Sequence, residues 1–234
     1  MDISRFPRLS GVCDAVYNPL RTPLILAAKE RGIPAEGGLY MLVAQAVRAS
    51  EIFIDTKYEK SELIRVFLKM MRDKENIVLT GMPASGKSTV GKLVSDVLGR
   101  EFIDTDTLIV EKTGKDIPRI FSEDGERAFR DIESEVIRET AAVTGAVIAT
   151  GGGAVLRSEN VRALRENGKI YFIDRPLDSL IPTSDRPTAS NKEDIIKRYN
   201  ERYSVYKSTC DVRLDASGDA ESVAKSLTED FLSE

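Results

Sequence analysis

Residues 81–92 read GMPASGKSTVGK, directly after the apolar run Ile77-Val78-Leu79 and ahead of a helix-like pattern. Gly81, Gly86, Lys87 and Ser88 fit the spacing G-x-x-x-x-G-K-[ST], which demands a strand before it and a helix after it. A buried strand feeding a helix is the repeating unit of a parallel sheet, so this one stretch constrains the fold more than any other. Its chemistry is phosphate binding. The glycines let backbone N–H groups turn inward beside a helix N-terminus that favours negative charge. Lys87 supplies a point charge to the outer phosphates of a nucleoside triphosphate, and Ser88 offers a hydroxyl to Mg2+. The bland alternative is a chance glycine turn; the strand and helix on either side argue against it.

The pattern continues to the C-terminus. Residues 76–234 alternate short apolar runs with amphipathic segments, the signature of βα units around a parallel sheet. Strands are expected at Asn76–Thr80, Glu101–Ile103, Ala146–Thr150, Lys169–Ile173 and Asp211–Leu214. Helices are expected near 87–98, 106–112, 126–142, 158–167, 191–207 and 219–232, with Gly99 and Gly168 as left-handed C-caps. Residues 175–190 carry three prolines and little periodicity, and read as a mobile connection. Residues 1–73 differ: two amphipathic helices flank a Gly-Gly turn, and Lys60–Met71 forms a third. The boundary between the two parts is expected near Asp73.

Charge and composition narrow the function. A net charge of −4 argues against a general nucleic-acid or membrane-surface role, while leaving room for a local basic pocket. Cys13 and Cys210 are far apart and lack metal-ligand spacing, so two reduced thiols are expected. There is no 18-residue apolar run and no signal-peptide core in MDISRFPRLSG, which makes the cytoplasm the expected location. The chain has no histidine, so any proton acceptor must be a carboxylate or a lysine.

Four further stretches carry candidate chemistry. In FIDTD, Asp104 and Asp106 alternate on an extended strand end and would share a face near the phosphate loop. One could support Mg2+ and the other accept a proton from an attacking hydroxyl; alternatively Asp106 is merely the N-cap of the next helix. In GERAFRDIESEVI, Arg130 lies off the apolar stripe, three residues before Glu133. A buried arginine held by a glutamate makes a carboxylate clamp, whereas a lone helical arginine is usually a solvated charge. Gly151, Gly152 and Gly153 follow a buried-type strand and imply close backbone approach to something, a flexible loop being the alternative. Arg186 and Arg202 are candidates for a phosphate-closing finger and a second carboxylate ligand, though singly each reads as a surface charge.

Taken in order, the phosphate loop, FIDTD, GERAFRDIE, ATGGG, an Arg-Pro in the lid and Arg202 four residues before Tyr206 resemble shikimate kinase over essentially all of residues 76–234. The resemblance implies an α/β P-loop fold of nucleoside-monophosphate-kinase type, with a five-stranded parallel sheet flanked by helices. It implies a kinase domain over 74–234 with a lid at about 175–190, and a small helical extension over 1–73. It implies transfer of the ATP γ-phosphate to the shikimate 3-hydroxyl, with ATP and shikimate as partners and Mg2+ as cofactor. ATP would be held by Gly81, Ala84, Ser85, Gly86, Lys87, Ser88, Thr89 and Arg186, and the metal by Ser88 and, through water, Asp104. Lys87, Asp106 and Arg186 would be catalytic, with Asp106 as base; Asp106, Arg130, Gly151, Gly152, Gly153 and Arg202 would bind shikimate. Three departures stand out. Ala84 replaces a common glycine, the ten residues before Arg186 hold no second arginine for adenine, and LDASGDA lacks the expected proline.

AVYNPLRTPLILAAKERG and GGLYMLVAQAVRASEIF resemble the C-terminal end of shikimate dehydrogenase, with Tyr17 and Gln45 matching that family's substrate-touching tyrosine and glutamine. No G-x-G-x-x-G loop precedes them and Tyr40 stands where glycine is usual, so a remnant without dehydrogenase activity is expected. Leu24, Ile25, Leu42 and Val43 would be wet if undocked, so docking is expected. Competing functions are a gluconate or nucleoside-monophosphate kinase, and a nucleotide-binding scaffold without turnover.

Overall fold

The structure is a computed structural model that describes residues 3–180 and 192–233. Strand β3 (Asn76–Thr80) is buried along its whole length and lies at the centre of a five-stranded sheet. Its neighbours are β4 (Phe102–Asp104), β5 (Val147–Ala149), β6 (Gly168–Asp174) and β7 (Val212–Asp215), in the order β4-β5-β3-β6-β7. Every pairing is parallel. Burial on both faces explains why β3, β5 and β6 read as continuous apolar runs rather than as alternating ones. The expected strands are found to within about two residues of their sequence-read limits.

Helices cover both faces. On one, α4 (Lys87–Leu98) and α10 (Ala220–Ser233) bury Val90, Val94, Val223 and Leu227 against Ile77, Leu79 and Tyr171. On the other, α7 (Gly125–Ala141), α8 (Ser158–Asn167) and α9 (Lys192–Thr209) cover Val78, Ile148, Ile170 and Phe172. The short α5 (Thr105–Thr113) and α6 (Ile117–Glu123) pack on α7 around Ile109, Ile120 and Phe129.

Three local readings need correction. Helix α6 was not expected, yet Asp116 accepts from the Arg119 N–H at 2.8 Å and Pro118 stands in its first turn, both readable start signals. Gly99 is left-handed at φ 63°, but Gly168 is extended at φ −124° and begins β6. Gly168 is needed for closeness instead: a Cβ there would lie 2.6 Å from Val78 Cγ2 and 2.7 Å from the Leu164 carbonyl. Finally, β4 ends at Asp104 and α5 begins at Thr105, so Asp104 and Asp106 do not alternate on a strand. The N-cap is Asp104, whose side chain accepts from the N–H groups of Asp106 and Thr107; Asp106 sits in the first turn.

The N-terminal part forms α1 (Pro23–Glu30), α2 (Leu39–Phe53) and α3 (Lys60–Lys74), with a two-residue parallel pair, β1 (Val12–Cys13) and β2 (Ala35–Glu36). It docks on the base of the sheet, away from the strand carboxyl ends. Arg21 donates from Nε to the Arg165 carbonyl at 2.8 Å and from Nη2 to the Gly168 carbonyl at 2.9 Å and to Glu75 at 2.7 Å. Leu20 N–H reaches Asn167 Oδ1. Ile25 and Val43 are buried and Leu24 and Leu42 partly so, while Ile52 and Phe53 at the end of α2 stay exposed.

Candidate active site

Parallel sheets collect ligands at their strand carboxyl ends. Here β3 ends in the phosphate loop, which turns through Gly86 at φ 92° into the N-terminus of α4. Ala84 also takes a left-handed conformation, φ 64°, where glycine would be free of Cβ strain. Lys87 is buried and donates from Nζ to the carbonyls of Gly81 at 3.0 Å and Met82 at 2.8 Å, which anchors its cation under the loop. Ser85 is buried, and its Oγ has no protein partner among the described residues. An orphaned hydroxyl inside a loop of inward-turned amides suits an anion that would satisfy it. Thr89 lies exposed in the first turn of α4.

One strand over, Asp104 bridges two jobs. Oδ2 accepts from Ser88 Oγ at 2.6 Å while Oδ1 caps α5 through the Asp106 N–H at 3.0 Å. A hydroxyl paired with a carboxylate at the foot of a phosphate loop is a hard-oxygen donor set that fits Mg2+. Among the described residues no three carboxylate, cysteine or histidine side chains gather, so a fuller protein cage is absent there.

Beside the loop lies a cavity lined by Pro83, Asp106, Arg130, Glu133, the three glycines and Arg202, with Ile117, Phe121 and Phe129 as an apolar wall. Arg130 extends from α7 and pairs with Glu133 at 2.6 Å, one turn along the same helix. Glu133 is 1% exposed, and burial pushes its carboxyl above the ordinary range despite the guanidinium beside it. Its Oε1 has no protein partner among the described residues. Arg202 arrives from α9, buried, and donates from Nη1 to the Gly152 carbonyl at 3.2 Å. The two guanidiniums thus reach one cavity from different helices.

A side chain on any of the three glycines would collide with groups that line the cavity. A Cβ on Gly151 would lie 2.6 Å from Asp106 Oδ1, one on Gly152 2.9 Å from Pro83 Cδ, and one on Gly153 2.0 Å from Arg130 Nη1. The loop is fixed rather than floppy: Gly151 N–H donates to the buried Thr105 hydroxyl at 3.1 Å. Among the described residues no protein group accepts from the N–H of Gly152 or Gly153. Polar donors left free beside two arginines fit an oxygen-rich acid.

The comparisons with known proteins agree with this geometry. The family model described as Shikimate kinase matches residues 83–231. The chain belongs to the shikimate kinase family. A shikimate kinase of Clostridium botulinum is 48% identical over 141 residues, 58% of this chain and 85% of that protein. One from Caldicellulosiruptor bescii is 42% identical over 148 residues, covering 60% and 86%. The solved shikimate kinase from Acinetobacter baumannii in complex with shikimate superposes with a TM-score of 0.66 at 29% identity, over 71% of this chain and 97% of that one. Membership makes the chain an ATP-dependent kinase with an alcohol acceptor, and no helix among the described residues is long and apolar enough to cross a membrane.

Of the residues singled out from sequence, the structure gathers Asp106, Arg130, Gly151, Gly152, Gly153 and Arg202 around one cavity. Lys87, Ser88 and Asp104 meet at the phosphate loop beside it. Arg186 and most of the expected lid lie outside the described residues. Sequence reasoning missed Pro83, Ile117, Phe121 and Phe129 as cavity walls. The start signal of α6 would have found Ile117 and Phe121.

Proposed function

We propose that this chain moves the γ-phosphate of ATP to the 3-hydroxyl of shikimate, giving shikimate 3-phosphate and ADP. The observation that carries the reading is the convergence of Arg130 and Arg202 on one cavity whose other polar members are Asp106 and the glycine loop. The two planar cations fit a carboxylate, and the free Gly152 and Gly153 amides suit ring oxygens. Asp106 takes the proton of the attacking hydroxyl; with no histidine in the chain, a carboxylate is the natural base. Lys87 neutralises charge on the phosphoryl group in flight, and the loop amides hold the chain of phosphates in line with the hydroxyl. Gly81, Ala84, Ser85, Gly86 and Thr89 complete the ATP-binding set. Ser88 and Asp104 would hold Mg2+, which would supply Lewis-acid withdrawal of charge from the phosphates. Arg186 closes from the lid, as the family resemblance implies.

The division into a helical part over 1–73 and a kinase domain over 74–234 belongs to the same proposal, supported by the separate apolar cluster of Leu20, Leu39 and Val43. Its origin as a dehydrogenase end rests on the sequence resemblance alone. Tyr17 and Gln45 are exposed there, away from the sheet's carboxyl edge, which supports an inactive remnant. A cytoplasmic location is part of the reading.

A coupled assay of ADP release against shikimate, gluconate and nucleoside monophosphates tests it. Turnover with shikimate alone supports the assignment. Turnover with another acceptor, or ATP binding without any product, contradicts it.

A further inference from the structure

Two side chains of helix α9 hydrogen-bond to one atom of the glycine loop. Arg202 Nη1 donates to the Gly152 carbonyl, and the Tyr206 hydroxyl, one turn later, donates to the same oxygen. Tyr206 is 1% exposed, with its ring stacked on Phe172 of the central sheet at 5.2 Å and an interplanar angle of 15°. Burial pushes its phenol up to about 12, so it remains a proton donor at any working pH. Tyr206 is held in place by its packing.

A trans peptide points its C=O and the next N–H in opposite directions. A carbonyl of Gly152 pinned toward α9 therefore turns the Gly153 N–H away from α9. That N–H has no protein acceptor among the described residues, and Gly153 lines the cavity together with Arg130. Glycines have little of their own to hold a peptide plane in one orientation. We propose that Tyr206 is a positioning residue for shikimate, fixing the Gly152–Gly153 peptide so that its N–H serves as a donor when Arg202 leaves the carbonyl for the substrate. The inference rests on the assignment of this cavity to shikimate.

Tyr206→Phe keeps the ring and the stack and removes only the hydroxyl. A donor aligned equally in ground and transition states affects binding rather than turnover. The KM and calorimetric Kd for shikimate should rise about three- to tenfold, with kcat and the KM for ATP within about twofold of wild type. Val223→Ala, in the opposite apolar layer, should lower Tm without moving the shikimate KM. In 15N-labelled wild-type protein, shikimate should shift the Gly153 amide resonance strongly, a reading that needs no variant to fold. Unchanged shikimate constants in Tyr206→Phe, an equal KM rise in Val223→Ala, or an unmoved Gly153 amide would each overturn the proposal. Wild-type protein that fails to bind shikimate refutes the cavity assignment itself. An Arg130→Gln variant with raised KM beside an unaffected Tyr206→Phe refutes the inference alone.

Discussion

The hydroxyl of Ser88 and the carboxylate of Asp104 meet at 2.6 Å, and the same carboxylate caps helix α5 through its other oxygen. On the proposed assignment one side chain carries both a structural and a metal-supporting role, and asparagine separates them. Asparagine caps helices as well as aspartate does, so Asp104→Asn should leave the melting temperature nearly unchanged. Loss of its charge should raise the Mg2+ concentration for half-maximal rate roughly 10–100-fold. A titration of rate against Mg2+ reads this; an unchanged midpoint contradicts it.

Glycines 153 and 168 predict opposite failures. In Gly153→Ala the new methyl displaces the Arg130 guanidinium, the mobile end of a long side chain, so the fold survives. The displaced clamp should lower kcat/KM for shikimate on the order of 10²-fold. In Gly168→Ala the methyl meets backbone and a packed valine, which should cost about 1–3 kcal/mol of stability with shikimate KM unaltered. Denaturant melts and steady-state kinetics on both variants separate the two effects.

Glu133 gives the site a pH signature. Its folded pKa is raised by burial, so the native state disfavours the ionised form. Its stability contribution is then fully present below the unfolded value of about 4.3 and is lost as pH rises through the folded value. Relative to Glu133→Gln, which cannot ionise, wild type should lose stability over that rise. Arg130→Met removes the compensating cation and should enlarge the loss. Melting temperatures of the three proteins from pH 4 upward test the sign, and a wild type that gains on Glu133→Gln with rising pH contradicts it.

Arg21 ties the N-terminal helices to the kinase through two carbonyls and Glu75, whose side chain is 12% exposed. Arg21→Ala leaves Glu75 without its guanidinium and should cost about 1–3 kcal/mol. The sheet base lies far from the cavity, so kinetic constants should hold. Altered shikimate KM in this variant would instead couple the extension to the active site.

Much of this was readable beforehand, for identifiable reasons. Strand β3 is buried on both faces and punctuated by glycine, so run and turn were unambiguous. Arg130 and Glu133 stand three apart on one helix, a spacing that fixes contact without tertiary knowledge. Asp104 and Asp106 were harder. They were read as strand neighbours, and only the helix start at Thr105 shows that one caps while the other enters the cavity. The role of Gly168 was hidden because Val78, which a Cβ there would strike, is remote in sequence. The Tyr206 contact was illegible for the same reason: Gly152 lies 54 residues away.

The central claim is that the guanidiniums of Arg130 and Arg202 hold one carboxylate. It is tested most directly by comparing calorimetric Kd values for shikimate and its methyl ester, in wild type and in Arg130→Gln. Hydrogen bonds to charged groups contribute about 1.5–3 kcal/mol, so wild type should prefer the acid by roughly 10–150-fold. Arg130→Gln should lose most of that preference. A wild type that binds ester and acid alike, or a variant that keeps the full preference, would contradict the account.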